Sequence, residues 1–399
     1  MSQKIKPFKA IYYNPTLTSD HSLVVCPPYD VINKQQLKGL RKKSPYNFSR
    51  ISIADNNDYL KSNKTFQTWL KQNILIKNKK DAFYLYEQNF KVEKSTYKRF
   101  GILVLLKMDK KKIFPHEHTL HAPKEDRRKI MTATKASLSP IFVIASRRFK
   151  ELEIMHKKYS SKKPFLCFKD SDSNLNKVWI IENKMDIQNM TKESSNLSLV
   201  IADGHHRFET SYDYFSKNKN KFKDLNYILA YITGPQKGLM ILPTHRVVSV
   251  EQKGKVLLAR LNKHFIIETV SKNGLEKKFG LEKKFCFGIF QEGKFYFLRI
   301  KDMQILSRIA EKEYHSLPTC ILHNIILPLL DTSGDIKYTH SIEEAQELAG
   351  IKKTAFILKT VNLKSVFRVS ERGLRFPQKS TYFYPKLLSG IVARKFCKE

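Results

Sequence analysis

The segment from Leu197 to Glu209 restricts the fold of this chain more than any other. Apolar residues at positions 197, 199 and 200 predict a buried strand. Asp203-Gly204 then marks a tight turn, because glycine adopts backbone conformations that other residues avoid. From His205 onwards the spacing indicates a helix. The sequence therefore predicts a strand, a turn and a helix, with reactive side chains gathered at the turn.

The turn has the sequence Asp203-Gly204-His205-His206-Arg207. An aspartate can bind a metal ion or accept a proton, and histidines can transfer protons or stabilise charge. An arginine can hold a phosphate or a carboxylate in its planar fork. A buried strand that ends in such a group is typical of the edge of an active site. We therefore predict that Asp203, His205 and His206 are catalytic.

The length of 399 residues is too great for one simple core. Strand-like and helix-like patterns are interspersed throughout, which predicts a mixed α/β (α+β) fold. We predict three segments along the chain. Residues 1–248 carry the turn, residues 249–310 form a small β-rich subdomain, and residues 311–399 form an α/β segment that completes the site.

Local patterns give further expectations. Leu23 to Val25 predicts a short strand, and the tandem Gly-Leu-Glu-Lys-Lys-Phe repeat from Gly274 to Phe285 predicts a tolerant surface segment. Other patterns predict helices at 59–76, 124–136 and 317–330, a hairpin over 82–107, and strands at 141–145, 178–181, 227–232 and 355–358.

The formal net charge of +36 is the strongest compositional signal. Such a charge suits a nucleic acid or an anionic ligand. The lysines are scattered in short runs with few aromatic residues between them, however, and no helix-turn-helix or zinc-finger spacing accompanies them. We therefore expect most of this charge to be solvated, and nucleic acid is not the favoured partner.

The compartment is constrained by what the sequence lacks. No stretch approaches the roughly 20 apolar residues that span a bilayer, and the N-terminus has no apolar signal core. The five widely spaced cysteines predict neither a disulfide framework nor a zinc knuckle. We expect a cytoplasmic protein with no membrane partner.

Histidine is concentrated at residues 116–121, at the turn and at His245. The His-Glu-X-X-His spacing of metalloproteases is absent. His116 and His118 could still form a zinc site with one of His205, His206 or His245, judged by residue type. A metal-dependent hydrolase is therefore one alternative function.

Phosphate chemistry accounts for more of the residues. Four cations lie at predicted strand or turn ends, and two hydroxyl donors lie beside them: Arg207, Arg246, Lys379, Lys386, Ser380 and Thr381. Such groups converge where anionic oxygens are neutralised in a transition state. Asp30, Glu117 and Asp203 are candidate bases or metal ligands. Neither a P-loop nor a Rossmann fingerprint is present, which disfavours an ordinary nucleotide-binding fold.

Five blocks of the sequence carry a family resemblance. They are Pro27-Pro28-Tyr29-Asp30-Val31-Ile32, Pro115-His116-Glu117-X-Thr119, residues 201–210, Leu242-Pro243-Thr244-His245-Arg246, and residues 379–390. With these blocks in this order, the chain from residue 7 to about 395 resembles the bacterial and archaeal domain-of-unknown-function family 1015.

The Asp-Gly-His-His-Arg block also resembles the motif of free-serine kinases in the ParB/sulfiredoxin-like superfamily. The resemblance implies a ParB/sulfiredoxin-like core around the turn, with added β-rich and helical subdomains. It implies a phosphotransferase that uses ATP or ADP and Mg²⁺ on a small hydroxylated metabolite, such as serine or a phosphoserine-like molecule. Asp203 and His205 or His206 would then lie near the transferred phosphoryl group, with Arg207 on a phosphate.

The remaining site residues follow from the same blocks. Asp30 or Glu117 would be the base or metal ligand, and Asp203, Glu117 and His116 are the predicted metal ligands. We expect phosphate or nucleotide binding by Arg207, His245, Arg246, Lys379, Ser380, Thr381 and Lys386. The superfamily resemblance also leaves a second alternative, a ParB-like nucleotide-binding regulator that contacts DNA.

Overall fold

The computed structural model describes residues 4–119, 121–219, 221–251, 254–282 and 285–397. Its contacts group the chain into two compact units. The first unit comprises Met1–Pro115, Thr119–Met240 and Pro385–Glu399, and the second comprises His116–His118 and Ile241–Tyr384. Helices and strands are interspersed in both, which confirms the predicted mixed α/β class. The division at residues 248 and 310 stays a prediction.

The described part of the first unit is built on a mixed sheet of nine strands. Eight of them follow one another in the order Ile113–Phe114, Leu199–Asp203, Ile141–Ala145, Tyr227–Thr233, Ser95–Lys107, Phe83–Val92, Leu175–Ile181 and Leu166–Lys169. The ninth, Ile5–Lys6, pairs antiparallel with Ser95–Lys107. Two smaller pairings join Ile11–Tyr13 to Leu75–Lys77 and Ala136–Ser137 to Arg394–Lys395.

The two faces of this sheet differ in chemistry because side chains alternate along a strand. In Phe83–Val92, residues 83 and 85 belong to the apolar core. Tyr84, Tyr86 and Gln88 point to the other face and are equally buried. The first unit therefore has an apolar face and a buried polar face on the same sheet.

Helices cover the apolar face. Leu152, Met190 and Phe208 come from three different helices and join the core cluster of the sheet. The α-helices of the first unit are His21–Val24, Lys34–Lys43, Ser49–Ser52, Tyr59–Lys71, His121–Thr134, Lys150–Ser160, Lys184–Ser194 and His205–Lys217. Four of these helices begin at a side-chain cap, and at Asn33 the cap is a reciprocal capping box with Gln36.

The strand expected at Leu23 to Val25 was wrong, because His21–Val24 is a short helix. Asp20 begins it by accepting a hydrogen bond from the backbone N–H of Ser22 at 2.9 Å. Val24 still faces the core, in a cluster with Phe48, Phe66 and Trp69. Burial of the apolar residues was therefore predicted correctly, and their backbone conformation was not.

The described part of the second unit contains an antiparallel sheet of six strands. Their order is Phe265–Val270, Lys294–Ile300, Cys286–Gln291, Thr354–Ile357, His245–Val250 and Thr332–Thr339. A further pair joins Met240–Leu242 to Tyr382–Tyr384. The α-helices are Gly254–Asn262, Lys272–Leu281, Pro318–Ile321, Ile342–Ala349 and Leu363–Glu371. Apolar clusters lie on both sides of the sheet.

The tandem repeat is only partly a surface segment. Its described residues lie mainly in the helix Lys272–Leu281, while Lys283 and Lys284 lie outside the described residues. Leu275 of the first copy is fully buried, whereas Leu281 of the second copy is 74% exposed. The first copy therefore supplies a core residue, and the second copy matches the prediction at Leu281 but not at Phe285, which packs partly buried against the core.

Candidate functional site

Asp203 ends the strand Leu199–Asp203, and a β-bulge before it changes the direction in which its side chain points. The register against the neighbouring strand shifts between Ile201, which is paired with Val143, and Asp203, which is paired with Phe142. A bulge of this kind changes the direction of the side chains that follow it. The predicted strand, turn and helix are therefore present, and the helix His205–Lys217 begins directly after Gly204.

Gly204 is required for both conformation and space. Its φ of +93° lies in the left-handed region, which other residues rarely adopt. A Cβ at this position would lie 3.0 Å from Nε of Arg207 and 3.0 Å from Cγ2 of Ile141. The glycine thus allows the Arg207 guanidinium to fold back over the turn.

Asp203 is bound by two cations. Nζ of Lys386 donates to Oδ1 at 2.5 Å, and Nη2 of Arg207 donates to Oδ2. All three side chains are about 12% exposed. Nη1 of Arg207 also donates to the carbonyl of Pro140, which fixes the orientation of the guanidinium. Lys386 thus closes the site from a segment 183 residues further along the chain.

These cations determine the charge of Asp203. Burial alone would raise its pKa, but Lys386 and Arg207 together hold the pKa of Asp203 well below its usual range. The carboxyl is therefore ionised at neutral pH and is a weak base. Arg207 and Lys386 are both cations and Asp203 is one anion, so the three side chains together carry a net positive charge.

Arg99 lies on the buried polar face of the sheet and adds a further cation. It is fully buried, and its Nη2 donates to the carbonyl of Pro385 at 2.5 Å and to Oε1 of Gln88. Its guanidinium lies 4.7 Å from the ring centre of Phe142. Burial lowers the pKa of Arg99, and the charge of Asp203 is among those that oppose this shift. We refer to Asp203, Arg207, Lys386 and Arg99 as the Asp203 cluster.

A network of hydrogen bonds holds Gln88, the side chain that accepts from Arg99. Nε2 of Gln88 donates to Oδ1 of Asn176 at 3.2 Å, and the hydroxyl of Tyr86 donates to the same oxygen at 2.6 Å. Nδ2 of Asn176 in turn donates to Oδ2 of Asp170 at 3.1 Å. A buried polar network with its partners in place is rigid, so the cation behind Asp203 is preorganised.

The first turn of the helix after Gly204 adds backbone dipoles. The first N–H groups of any α-helix have no acceptor within the helix and carry partial positive charge. His205 is buried and His206 half-buried in this turn. Further along, Glu209 accepts hydrogen bonds from Oγ1 of Thr119 at 2.6 Å and Nζ of Lys124 at 3.2 Å. The turn therefore favours an anion.

The Pro27–Ile32 block also belongs to the first unit. Tyr29 lies under the guanidinium of Arg127, 3.8 Å from the ring centre. Burial raises the pKa of Tyr29 to about 12, and the charges of Asp30, Arg127, Arg207 and Asp203 all act on it. Asp30 itself is exposed, in a short 3₁₀ helix. The block is therefore within electrostatic reach of the Asp203 cluster.

The second unit contains another group of predicted residues, around Thr381. Nε2 of His116 lies 2.7 Å from Oγ1 of Thr381. Oε1 of Glu117 accepts from the backbone N–H of Thr381 at 3.0 Å and from its hydroxyl at 2.9 Å. His116 is fully buried and meets the rings of Phe376 and Phe383 edge-on. These contacts fix Thr381 between a histidine and a carboxylate.

Arg246 holds the adjoining turn of the second unit. It is fully buried, and its Nη2 donates to the carbonyls of Gln378 at 3.3 Å and Lys379 at 3.0 Å. Lys379 has a φ of +54°, and the hydroxyl of Ser380 donates to the carbonyl of Pro377 at 2.5 Å. Burial lowers the pKa of Arg246 to about 10, so it stays charged at neutral pH.

His245 is a buried acceptor in the same unit. Its Nδ1 accepts a hydrogen bond from the backbone N–H of Leu358 at 3.2 Å. Burial, followed by the charges of His340 and Arg246, lowers the pKa of His245 to about 4. At neutral pH the ring is therefore uncharged.

The predicted residues thus fall into two groups, one in each unit. Asp203, Arg207 and Lys386 meet in the first unit, and His116, Glu117 and Thr381 meet in the second. Sequence reasoning missed Arg99, Gln88 and Arg127. No local pattern marked Arg99 or Gln88, because Arg99 follows Lys98 and Gln88 lies between Glu87 and Asn89, so neither stands out as a lone polar residue in the hairpin.

Across the described ranges, no three side chains of His, Cys, Asp or Glu are grouped so that they could hold a metal ion. Within the same ranges, no helix is long and apolar enough to cross a membrane.

The first unit is thus a mixed α/β unit with a buried, positively charged cluster at the end of a strand. The family whose model matches is described as "Protein of unknown function (DUF1015)", and the match covers residues 5–333. The chain therefore belongs to this family, as predicted, and the match covers four of the five sequence blocks and ends before residues 379–390. A comparison with curated proteins found no match.

Several solved structures are similar to the chain at low identity. A free serine kinase mutant in complex with ADP is 15% identical, with 71% of this chain and 86% of that chain covered and a TM-score of 0.34. SbnI with a C-terminal truncation, from Staphylococcus aureus, is 12% identical, with coverages of 73% and 86% and a TM-score of 0.39. A conserved hypothetical protein from Pyrococcus furiosus is 15% identical, with coverages of 72% and 93% and a TM-score of 0.34. TM-scores this low do not support a shared function.

Proposed function

We propose that the Asp203 cluster binds the phosphate groups of a nucleotide and that the protein transfers a phosphoryl group to a small hydroxylated metabolite. The observation that carries the proposal is the pair of cations, Arg207 and Lys386, fixed on one buried carboxylate. Serine is the first acceptor to test, because the Asp-Gly-His-His-Arg block resembles the motif of free-serine kinases.

The charge of the cluster supports an anionic ligand. Arg99, Arg207 and Lys386 bring three positive charges to one carboxylate, and all four groups are largely or fully buried. Buried excess charge is costly unless a counter-charge is near. A phosphate would supply that charge, and the first turn of the helix after Gly204 would add N–H donors. Phosphoryl transfer needs mainly this kind of positioning and charge neutralisation.

Roles for the acids follow from their surroundings. Asp203 is a weak base because its pKa is so low, so we assign it to anchoring Arg207 and Lys386. Asp30 is exposed beside Tyr29, and we assign the acceptance of the hydroxyl proton to it. Glu117, the other candidate from the sequence, already accepts two hydrogen bonds from Thr381. His205 and His206 remain proposed contacts of the transferred group.

Magnesium fits this site as a partner of the nucleotide. Mg²⁺ is usually held by one or two carboxylates together with substrate phosphates, so a cluster of three protein ligands is not required. Both oxygens of Asp203 already accept from cations, so the phosphates of the nucleotide would supply most of the ligands of the ion. When bound, Mg²⁺ would neutralise charge that develops on the phosphates.

The sequence also predicted phosphate-binding residues that lie in the second unit. Arg246, Lys379, Ser380 and Thr381 form a turn that is fixed by buried hydrogen bonds, and Lys379 is exposed on it. Phosphate or nucleotide binding by this turn stays a prediction from the sequence. The roles of His116 and Glu117 as metal ligands and of His245 in phosphate binding stay predictions.

The direct test is turnover by the purified full-length protein with ATP or ADP, Mg²⁺ and serine, followed by ³¹P NMR for phosphoserine. Arg207→Met and Lys386→Met each remove one cation and keep the apolar part of the side chain. We expect each to lower kcat/KM by about 100-fold or more, as is typical when a donor to a transition-state anion is lost.

Arg148→Met is the matched control, because Arg148 is an exposed arginine paired with Glu153 on the surface of the same unit. We expect it to act like the wild-type protein. Turnover that survives both Arg207→Met and Lys386→Met would show that the Asp203 cluster is not the site of phosphoryl transfer. Absence of nucleotide binding to the wild-type protein, measured by calorimetry, would reject the proposed function itself.

A further inference from the structure

A small cavity lies beside Arg207 in the first unit. Its volume is about 40 Å³. The polar part of its lining consists of Tyr29, Arg127, Ser137, Ser139, Arg207 and Ser211. Ile130, Leu138 and Ile228 are among the apolar residues that complete it. Two guanidinium groups and four hydroxyls line this small space, and each is a group that can donate a hydrogen bond to a ligand oxygen.

Arg127 is held rigidly at this cavity. Its Nε and Nη2 donate to Oδ2 of Asp126, and its Nη1 donates to the carbonyl of Ser52 at 2.9 Å. The ring of Tyr29 lies against the guanidinium at 3.8 Å. These contacts use three of the five N–H donors of an arginine, so two are left for a ligand as far as the described residues go. The group is therefore both oriented and able to bind.

Arg207 connects the cavity to the Asp203 cluster. It lines the cavity, and its Nη2 donates to Asp203. A molecule with one group in the cavity would therefore have its remaining atoms close to the place where the proposed function puts the phosphoryl group. This is the position that a phosphoryl acceptor must occupy.

The size of the cavity restricts the group it can take. A space of this volume holds a few water-sized groups. A carboxylate fits it, whereas a purine base with its nine-atom ring system does not. The planar fork of an arginine matches the two oxygens of a carboxylate, and the apolar part of the lining suits a group with a single charge.

We propose that this cavity binds the carboxylate of the acceptor, so that the substrate class is small hydroxy acids and hydroxy amino acids. The identification of the bound molecule as the phosphoryl acceptor rests on the proposed function. It names Arg127 as a binding residue that recognises the non-reacting end of the substrate. The hydroxyl of such a substrate would then lie towards Arg207 and Asp203.

Calorimetric titration of the full-length protein tests this without relying on turnover. The probes are L-serine, D-glycerate and L-serinamide, of which the last has the hydroxyl and no carboxylate. We expect L-serine and D-glycerate to bind and L-serinamide to bind at least tenfold more weakly. Arg127→Met should weaken L-serine at least tenfold, and Arg128→Met should not, since Arg128 lies next to it on the same helix and pairs with Glu125 at the surface.

A second variant guards against a folding defect in Arg127→Met. Ser211→Met places a larger side chain in the cavity and leaves Arg127 intact, and we expect the same loss of L-serine binding from a folded protein. The assignment is overturned if none of the acids binds the wild-type protein, if L-serinamide binds as well as L-serine, or if both variants bind L-serine normally. Binding of inorganic phosphate that Arg127→Met abolishes would assign the cavity to phosphate instead.

Failure of the proposed function gives a different pattern. ADP binding depends on Arg207 and Lys386 under the proposed function and does not depend on the cavity. Loss of L-serine binding in Ser211→Met with ADP binding unchanged supports the cavity assignment. Carboxylate binding with no ADP binding at all would keep the cavity as a carboxylate site and reject the phosphotransferase.

Discussion

Asp203→Asn is expected to lower the free energy of unfolding by about 3 kcal/mol and to reduce turnover by about 100-fold or more. The amide keeps the shape of the side chain and removes its charge, so Arg207 and Lys386 are left as buried cations without their shared anion. Breaking a buried ion pair by removal of one partner is typically this costly. Turnover falls because both phosphate-binding cations lose their anchor.

The pH dependence of stability provides a second readout for the same variant. The pKa of Asp203 is lower in the folded protein than its usual value of 3.8. Its contribution to stability is therefore fully present above about pH 4 and is lost as the pH falls below that value. The difference in unfolding free energy between wild type and Asp203→Asn should be constant near neutral pH and shrink on acidification.

Asp55→Asn is the matched control, because Asp55 also lies between an arginine and a lysine, Arg41 and Lys61, but is 41% exposed. Surface ion pairs contribute little, so we expect a loss of less than about 1 kcal/mol. Chemical denaturation at several pH values measures both variants. Equal losses of unfolding free energy in the two variants would contradict the view that burial strengthens the ion pairs of Asp203.

Gly101→Ala is expected to destabilise the first unit by about 3 kcal/mol, the upper end for a core overpacked by one methyl group. A Cβ at residue 101 would collide with the ring of Tyr231 and lie 2.6 Å from the carbonyl oxygen of Ile232. Tyr231 is itself fully buried, with the hydroxyl end of its ring towards Arg99. Neither the backbone nor the ring can move away without disturbing the polar face of the sheet.

The same substitution at Gly39 should have the opposite sign. Gly39 lies inside the helix Lys34–Lys43, and a Cβ there would meet no atom within 4 Å. Alanine is the better helix former, so we expect a gain of about 0.5–1 kcal/mol. Thermal unfolding of the two variants compares them directly. A neutral Gly101→Ala would mean that Tyr231 has room to move.

Local periodicity was sufficient to predict much of the secondary structure. The hairpin over residues 82–107 and the strand at 141–145 are present as expected. The helix predicted at 317–330 is instead broken into an α-helical turn, a π-helical stretch and a 3₁₀ turn that contains Pro328. Proline lacks the N–H that would continue the helix, and this reason could have been read in advance.

The site was predicted less completely. Asp203 ends a strand and Arg207 lies in the first turn of the following helix, so the short turn at Gly204 is enough to bring the two side chains together. Lys386 could be proposed only by residue type, because 183 residues separate it from Asp203 and no local pattern encodes such a contact. Arg99 and Arg127 belong to elements whose partners become known only when the sheet order is known.

The order of the segments of the first unit along the chain has a consequence for folding during synthesis. The first unit is discontinuous, and Pro385–Glu399 belongs to it although the ribosome synthesises Ile241–Tyr384 beforehand. Pro385 and Lys386 supply the acceptor for Arg99 and the second cation for Asp203. A nascent chain therefore holds Asp203 and Arg207 long before their last partners exist. Translation products that stop before Lys386 would retain the Asp-Gly-His-His-Arg motif without a finished binding site, so the cluster can form only after Lys386 has been synthesised.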